Sequence, residues 1–325
     1  MKKSTHFFLA GIILILSACT SRQEHQDLSK KISWIRFEWE GDTIGGHFYD
    51  KPAMLVPFQL EGVPFRFTMQ LDLGAPVTMV YGNTFIPLLE LYPDLASHLD
   101  TVEHRYVLQG RKVGGLHDIT FLLDTVRFAH RDIAIFEEYG DSSRQEDFRT
   151  DTVIHIGTVG ADLFREKVLV IDFTRQRLAL LDSLPARMEE GMADILVEQG
   201  RIKVPADING KKVYLLYDTG SSFSSLYMAT EDWDAYRDTT CVPDTLMVTA
   251  WGIKYPLLLS PTHIEVKIGN EIFHPDTVMA NSLKPYRDFY RRAGILGLMG
   301  NRMFFDRILV IDLRNKRFGV IPDIF

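Results

Sequence analysis

Cysteine is nearly missing from this chain, with two in 325 residues. Cys19 lies close to the N-terminus and Cys241 stands alone, so no intrachain disulfide framework is available and the fold must stand on packing. Positive charge is also short. Lys and Arg number 36 against 43 Asp and Glu, a net charge of −7. Without a basic stripe, nucleic acid is a poor partner. Long apolar runs are limited to Phe7 to Leu16. That run is too short for a transmembrane helix, which needs about 20 residues. Several catalytic signatures are missing: Gly-x-Ser-x-Gly, His-Glu-x-x-His, a phosphate loop and paired Cys-x-x-Cys. The ten histidines are scattered, and the serines at 221, 222, 224 and 225 have no nearby histidine to act as a base.

The N-terminus reads as a targeting segment. Lys2 and Lys3 precede the apolar run, and Leu16-Ser-Ala-Cys19 follows it. That ending resembles a bacterial lipobox, in which Cys19 becomes the lipidated first residue. An ordinary signal peptide with an incidental cysteine is the alternative. Residues 1–18 are then the signal and 19–32 a polar tether. A chain starting at Cys19 keeps 34 basic residues against 43 acidic ones. The expected location is the outer membrane facing the periplasm, or the cell surface. Cys241 reads as a small packed residue rather than a nucleophile.

Two short segments carry one chemical device. Phe67-Thr-Met-Gln-Leu-Asp72-Leu-Gly74-Ala75 and Val213-Tyr-Leu-Leu-Tyr-Asp218-Thr219-Gly220-Ser221 are apolar runs ending in Asp-x-Gly-[Ala/Ser]. A strand delivers the carboxylate, and glycine lets the chain turn beside it. A longer match lies downstream of each. Gly160 to Arg177 aligns without a gap with Gly300 to Arg317 at a constant offset of 140. Gly, Phe, a Leu-Val-Ile-Asp run and a final Arg coincide, and two uncharged residues precede each Gly. Such self-similarity signals internal duplication, and two copies mean two lobes. Asp172 and Asp312 are duplicated as well, but each precedes a turn-like basic stretch, so both read as structural.

On these motifs the chain resembles a bilobal aspartic protease of the pepsin and retropepsin type, over roughly Trp34 to the C-terminus. In that family each lobe contributes Asp-Thr-Gly-[Ala/Ser], and a later hydrophobic-hydrophobic-Gly threads beside the Asp loop. The resemblance implies a mainly β fold. Two pseudo-symmetric lobes of antiparallel strands form a double barrel with a few short helices. The expected lobes are 33–184 and 185–325, linked near Ser183 to Gly191. Strand signals from Ile32 to Trp39 through Ile308 to Leu313 agree with this. Asn209-Gly210 predicts a hairpin that feeds Asp218, and Glu61-Gly62 a turn that feeds Asp72. Short helices are expected at Phe85 to Leu91, Ala229 to Tyr236 and Tyr286 to Ala293.

The resemblance implies that Asp72 and Asp218 are a catalytic dyad, supported by Gly74, Ala75, Thr219, Gly220 and Ser221. Juxtaposed carboxylates cannot both ionise cheaply, so one keeps a proton. The charged member takes a proton from water and the other protonates the scissile carbonyl. Neither metal nor cofactor is required, and a single chain supplies both carboxylates, so a monomer acting on peptides is expected. Ser221 is placed to donate to Asp218, which predicts Asp218 ionised and Asp72 protonated. The glycine-rich stretch from Tyr106 through Gly110 to His117 is the flap candidate, with an ordinary surface hairpin as its alternative. Leu73 departs from the family's threonine, and Pro76 should stiffen the first loop. Leu73 favours a rival: a non-catalytic peptide-binding lipoprotein that keeps the fold. A β-sandwich lipoprotein in transport or glycan handling is a third reading, resting on the lipobox and strand content alone.

Overall fold

Val170 pairs with Val310 at the centre of two antiparallel strands, Val168–Asp172 and Ile308–Asp312. These residues are equivalents in the 140-residue repeat, so the strands meet on a local twofold axis. The six-stranded sheet around them is symmetric in order. Outward from the axis come Arg177–Leu181 and then Trp34–Arg36 on one side, Arg317–Ile321 and then Ala193–Asp194 on the other. All four flanking pairings are antiparallel. The duplicated Leu-Val-Ile-Asp runs form the buried middle, where every residue is apolar or ends in a capped aspartate.

The computed structural model describes residues 32–100, 105–108, 110–150, 153–250 and 252–322. The lipobox with Cys19, and all of the tether but residue 32, lie outside them. The described chain is mainly β with short helices. An eight-stranded sheet is built from strands within 38–159, and a ten-stranded sheet from strands within 196–299. Helices cover Gly82–Leu91, Thr230–Trp233 and Lys284–Ala293, close to where the sequence places them. No described helix is long and apolar enough to cross a membrane.

Some boundaries differ from the sequence-based expectation. The run Ile119 to Val126 breaks at Asp124, where a positive φ of 52° turns the chain between Gly115–Leu123 and Val126–Phe136. Pairing is antiparallel in most places, but not beside the aspartate loops. Phe67–Leu71 runs parallel to Ile154–Val159, and Lys211–Tyr217 runs parallel to Gly297–Met299. Parallel neighbours need a long crossover. Here about eighty residues intervene in each half before the chain returns beside its aspartate strand. The Asn209-Gly210 hairpin forms as expected, with φ of 50° and 86° at the two turn residues.

Candidate active site

Alternating burial brings the first aspartate into place. Phe67, Met69 and Leu71 point into the core, and the strand ends at Asp72. The Asp72 N–H donates to the Val159 carbonyl at 3.0 Å. The Asp218 N–H donates to the Met299 carbonyl at 2.9 Å. Val159 and Met299 are again 140 apart, so the duplicated segment holds both aspartates by the same bond. Each loop then closes on itself: Ala75 N–H to Asp72 O at 3.1 Å, Ser221 N–H to Asp218 O at 3.2 Å.

The two loops interlock across the axis. A Cβ added to Gly74 would lie 2.5 Å from Oδ1 of Asp218, and one added to Gly220 would lie 2.7 Å from Cγ of Asp72. Each glycine therefore leaves room for the carboxylate of the other loop. A second glycine pair works the same way one layer back. A Cβ on Gly157 would sit 2.1 Å from the Met79 carbonyl oxygen, and on Gly297 2.2 Å from that of Tyr227. The repeat extends to this pair, which lies just upstream of the segment singled out in the sequence.

Asp72 and Asp218 line one cavity from interlocked loops, and each carboxyl shifts the proton affinity of the other. Loss of solvent pushes the Asp218 carboxyl well above the usual carboxylate range, and the neighbouring Asp72 charge pushes it further. Burial raises Asp72 too. The Asp218 carboxyl, the N–H groups of Ala75 and Gly74, and the Arg201 charge all pull it back. Both carboxyls are therefore raised, and the pair holds a proton as one coupled unit. The hydroxyl bond from Ser221 to Asp218, on which the expected division of that proton rested, is not made. The Ser221 hydroxyl faces Ser224 at 2.8 Å, and only its backbone N–H serves the Asp218 carboxyl.

Thr219 ties the loops together. Its hydroxyl accepts the Leu73 N–H at 2.8 Å and donates to the Leu71 carbonyl at 2.8 Å. Leu73 cannot return such a bond and is fully buried in the core. Two residues not evident in the sequence brace the second loop. Asn301 accepts from the Tyr217 hydroxyl at 2.6 Å and donates to Ser222 Oγ at 2.7 Å. A buried polar chain of this kind holds a loop when all its members are satisfied.

A cavity of about 250 Å³ opens over the dyad. Tyr81 and Tyr139 from the first half line it, with Tyr227, Tyr255 and Tyr286 from the second. Burial raises the pKa of all five phenols, which stay protonated. Tyr81 meets Thr158 Oγ1 at 2.5 Å, and Tyr227 donates to the Tyr255 hydroxyl at 3.2 Å. No periodicity marks these tyrosines, because they come from five separate elements.

A hairpin of the second half also lines this cavity. Asp244–Ala250 and Ile253–Pro261 supply Val248, Ala250, Tyr255 and Leu257 to its lining. At the tip, a Cβ on Gly252 would be 3.9 Å from Tyr139 of the opposite half. Residues 38–60 buttress this hairpin, since His47 Nε2 lies 3.4 Å from Asp244 Oδ2. The expected flap does form a hairpin, Tyr106–Leu108 with Arg111–Val113, and Gly110 sits in its turn at φ 79°. Val107 and Leu108 of this hairpin line a cavity beside Gly74 and Ala75, while Tyr106 turns away from the dyad cavity. Its ring lies against Gly115, where a Cβ would come within 2.7 Å, and burial pushes its phenol up to about 12. Gly115 leaves a slot that the ring fills.

Asp172 and Asp312 are fully buried turn residues, not cleft residues. They accept the N–H of Arg175 at 3.0 Å and of Asn315 at 2.8 Å, and Asp172 also pairs with Arg177 at 3.0 Å. Cys241 is a partly buried free thiol, 3.4 Å from Asp238 Oδ2. Comparison with family models finds no match, and comparison with curated proteins finds none either.

Proposed function

We propose that this chain is a pepsin-like, bilobal aspartic endopeptidase, held at a membrane by lipidated Cys19. The two large sheets are its lobes and the six-stranded sheet is their shared base. One observation carries this reading: two carboxylates from duplicated, interlocked loops lie together at the floor of a cleft. A structural role is a poor reason to bury two acids together, since each raises the cost of ionising the other.

In the proposed reaction a water lies between the carboxylates and the scissile carbonyl. The ionised member of the Asp72–Asp218 pair takes its proton, and the protonated member donates to the carbonyl oxygen. The tetrahedral species collapses as the amine leaves with a proton returned from the dyad. Both groups come from one chain, so a monomer suffices. The test is cleavage of a peptide library by residues 20–325 at several pH values, with and without pepstatin. Pepstatin-sensitive cleavage is expected. An intact library at every pH overturns the catalytic reading.

Leu73 favours a second reading, a peptide-binding protein without turnover. Only one of two possible hydroxyl bonds ties the loops, and small displacements of a catalytic group are costly. Peptide binding without cleavage by the unmodified chain would select it.

A further inference from the structure

Arg201 is a half-buried cation without a carboxylate of its own. It opens the strand Arg201–Ile208, directly after turn residues Gln199 and Gly200, both at positive φ. Gly200 presses against the first aspartate loop, where a Cβ would lie 2.9 Å from the Cβ of Pro76. The turn therefore seats Arg201 beside residues 74–76. Among the described residues, none forms an ion pair with it. Glu198, its backbone partner across the turn, is engaged by Lys203 Nζ at 2.6 Å. The guanidinium lies over the Phe289 ring at 5.3 Å from its centroid, a contact that leaves the in-plane N–H donors free.

Beside it is a second cavity, of about 230 Å³. Ala75, Met79, Val107, Leu108 and Phe136 give it apolar walls, and among the described residues lining it Arg201 is the one that is charged. Gly74 lines it too, and Gly74 faces the Asp218 carboxyl. The cavity thus opens next to the dyad, under the Tyr106–Leu108 strand. Half-buried cations are normally paired. An apolar slot ending in a bidentate donor fits a short methylene chain ending in a carboxylate.

We infer that this cavity is an anion-recognising subsite of the peptide cleft, in which Arg201 receives a carboxylate carried by the peptide. An Asp or Glu side chain and a free C-terminus present the same group. The inference rests on reading the cleft as a peptide site, although it does not need turnover. A purely structural Arg201, acting only on the Asp72 charge, would alter all peptides alike and leave their ratio unchanged.

The experiment measures binding to the inactive Asp218→Asn chain by calorimetry. The probes are a peptide series carrying Glu or Gln at each position in turn, with free or amidated C-termini. One charged member should bind about ten-fold or more tighter than its neutral partner, the range for a charge-assisted bond. The Glu series reports a side-chain source and the amidation series a terminal one. Arg201→Met should erase the preference, and Arg201→Lys should keep part of it. Equal binding of charged and neutral peptides, or no binding at all, overturns the subsite, and neither result depends on an Arg201 variant folding. So does a preference that survives Arg201→Met. The unmodified chain separates the two readings. Cleavage without charge preference leaves the peptidase and removes the subsite. Charge-selective binding without cleavage does the reverse.

Discussion

The hydroxyl of Thr219 holds the backbone of Leu73 in the opposite half of the chain, accepting its N–H at 2.8 Å. The same oxygen donates to the Leu71 carbonyl, so one side chain satisfies two buried backbone groups across the axis. Thr219→Val should cost about 1–3 kcal/mol, because it leaves a buried N–H unsatisfied. Thr219→Ser should lose much less. Thermal unfolding of the three proteins checks this, and equal melting temperatures would show that the bond is not holding the loops.

Leu73 contributes by packing instead. Leu73→Ala should destabilise by about 2–5 kcal/mol, the usual cost of a core truncation. Denaturant titration measures it. A cost below about 1 kcal/mol would mean that the side chain is not locked in the core.

The two dyad aspartates should differ in stability while failing alike in activity. Asn at either position should abolish cleavage. The Asp218 carboxyl sits well above its unfolded value of 3.8. Its contribution is complete below that value and is lost as pH rises through the folded one. Asp218→Asn should therefore stabilise the chain at pH 8, by on the order of 1–3 kcal/mol, and change little at pH 3. Melting curves across pH decide it. Destabilisation by Asp218→Asn at pH 8 would show that burial does not raise this carboxyl.

Ser221→Ala should leave the acid limb of the pH–rate profile where it is. The hydroxyl it removes bonds Ser224, while the backbone N–H that serves Asp218 remains. A limb displaced toward neutral pH would show that the hydroxyl turns to the carboxyl after all.

Gly220→Ala should inactivate the site without unfolding the sheets. The new methyl would meet the Asp72 carboxylate at 2.7 Å and drive the pair apart. Loss of kcat with a retained circular dichroism spectrum is expected, and full activity would contradict the interlocked geometry. Separately, the proposed lipid anchor predicts that Cys19→Ser shifts the protein from membrane to soluble fractions, and unchanged fractionation would remove the anchor from the proposal.

The duplication was legible in the sequence because a twofold relation writes the same residues twice. The 140-residue offset marks the strands that meet at Val170 and Val310, and the two Asp-x-Gly turns mark where the carboxylates stand. Strand alternation and the Asn209-Gly210 turn were equally readable, since both follow from local sterics. Tertiary structure decided the rest. The tyrosines of the cleft, the Asp244–Pro261 hairpin that helps line it and Arg201 come from distant segments, and nothing local relates them. Which aspartate keeps the proton depends on solvent access and on charges from the other half of the chain. Ser221 stood in the right sequence position to set that balance, but its hydroxyl had a nearer partner in Ser224. Local order is written in neighbouring residues, whereas electrostatics and cleft shape arise only when the two halves close on each other.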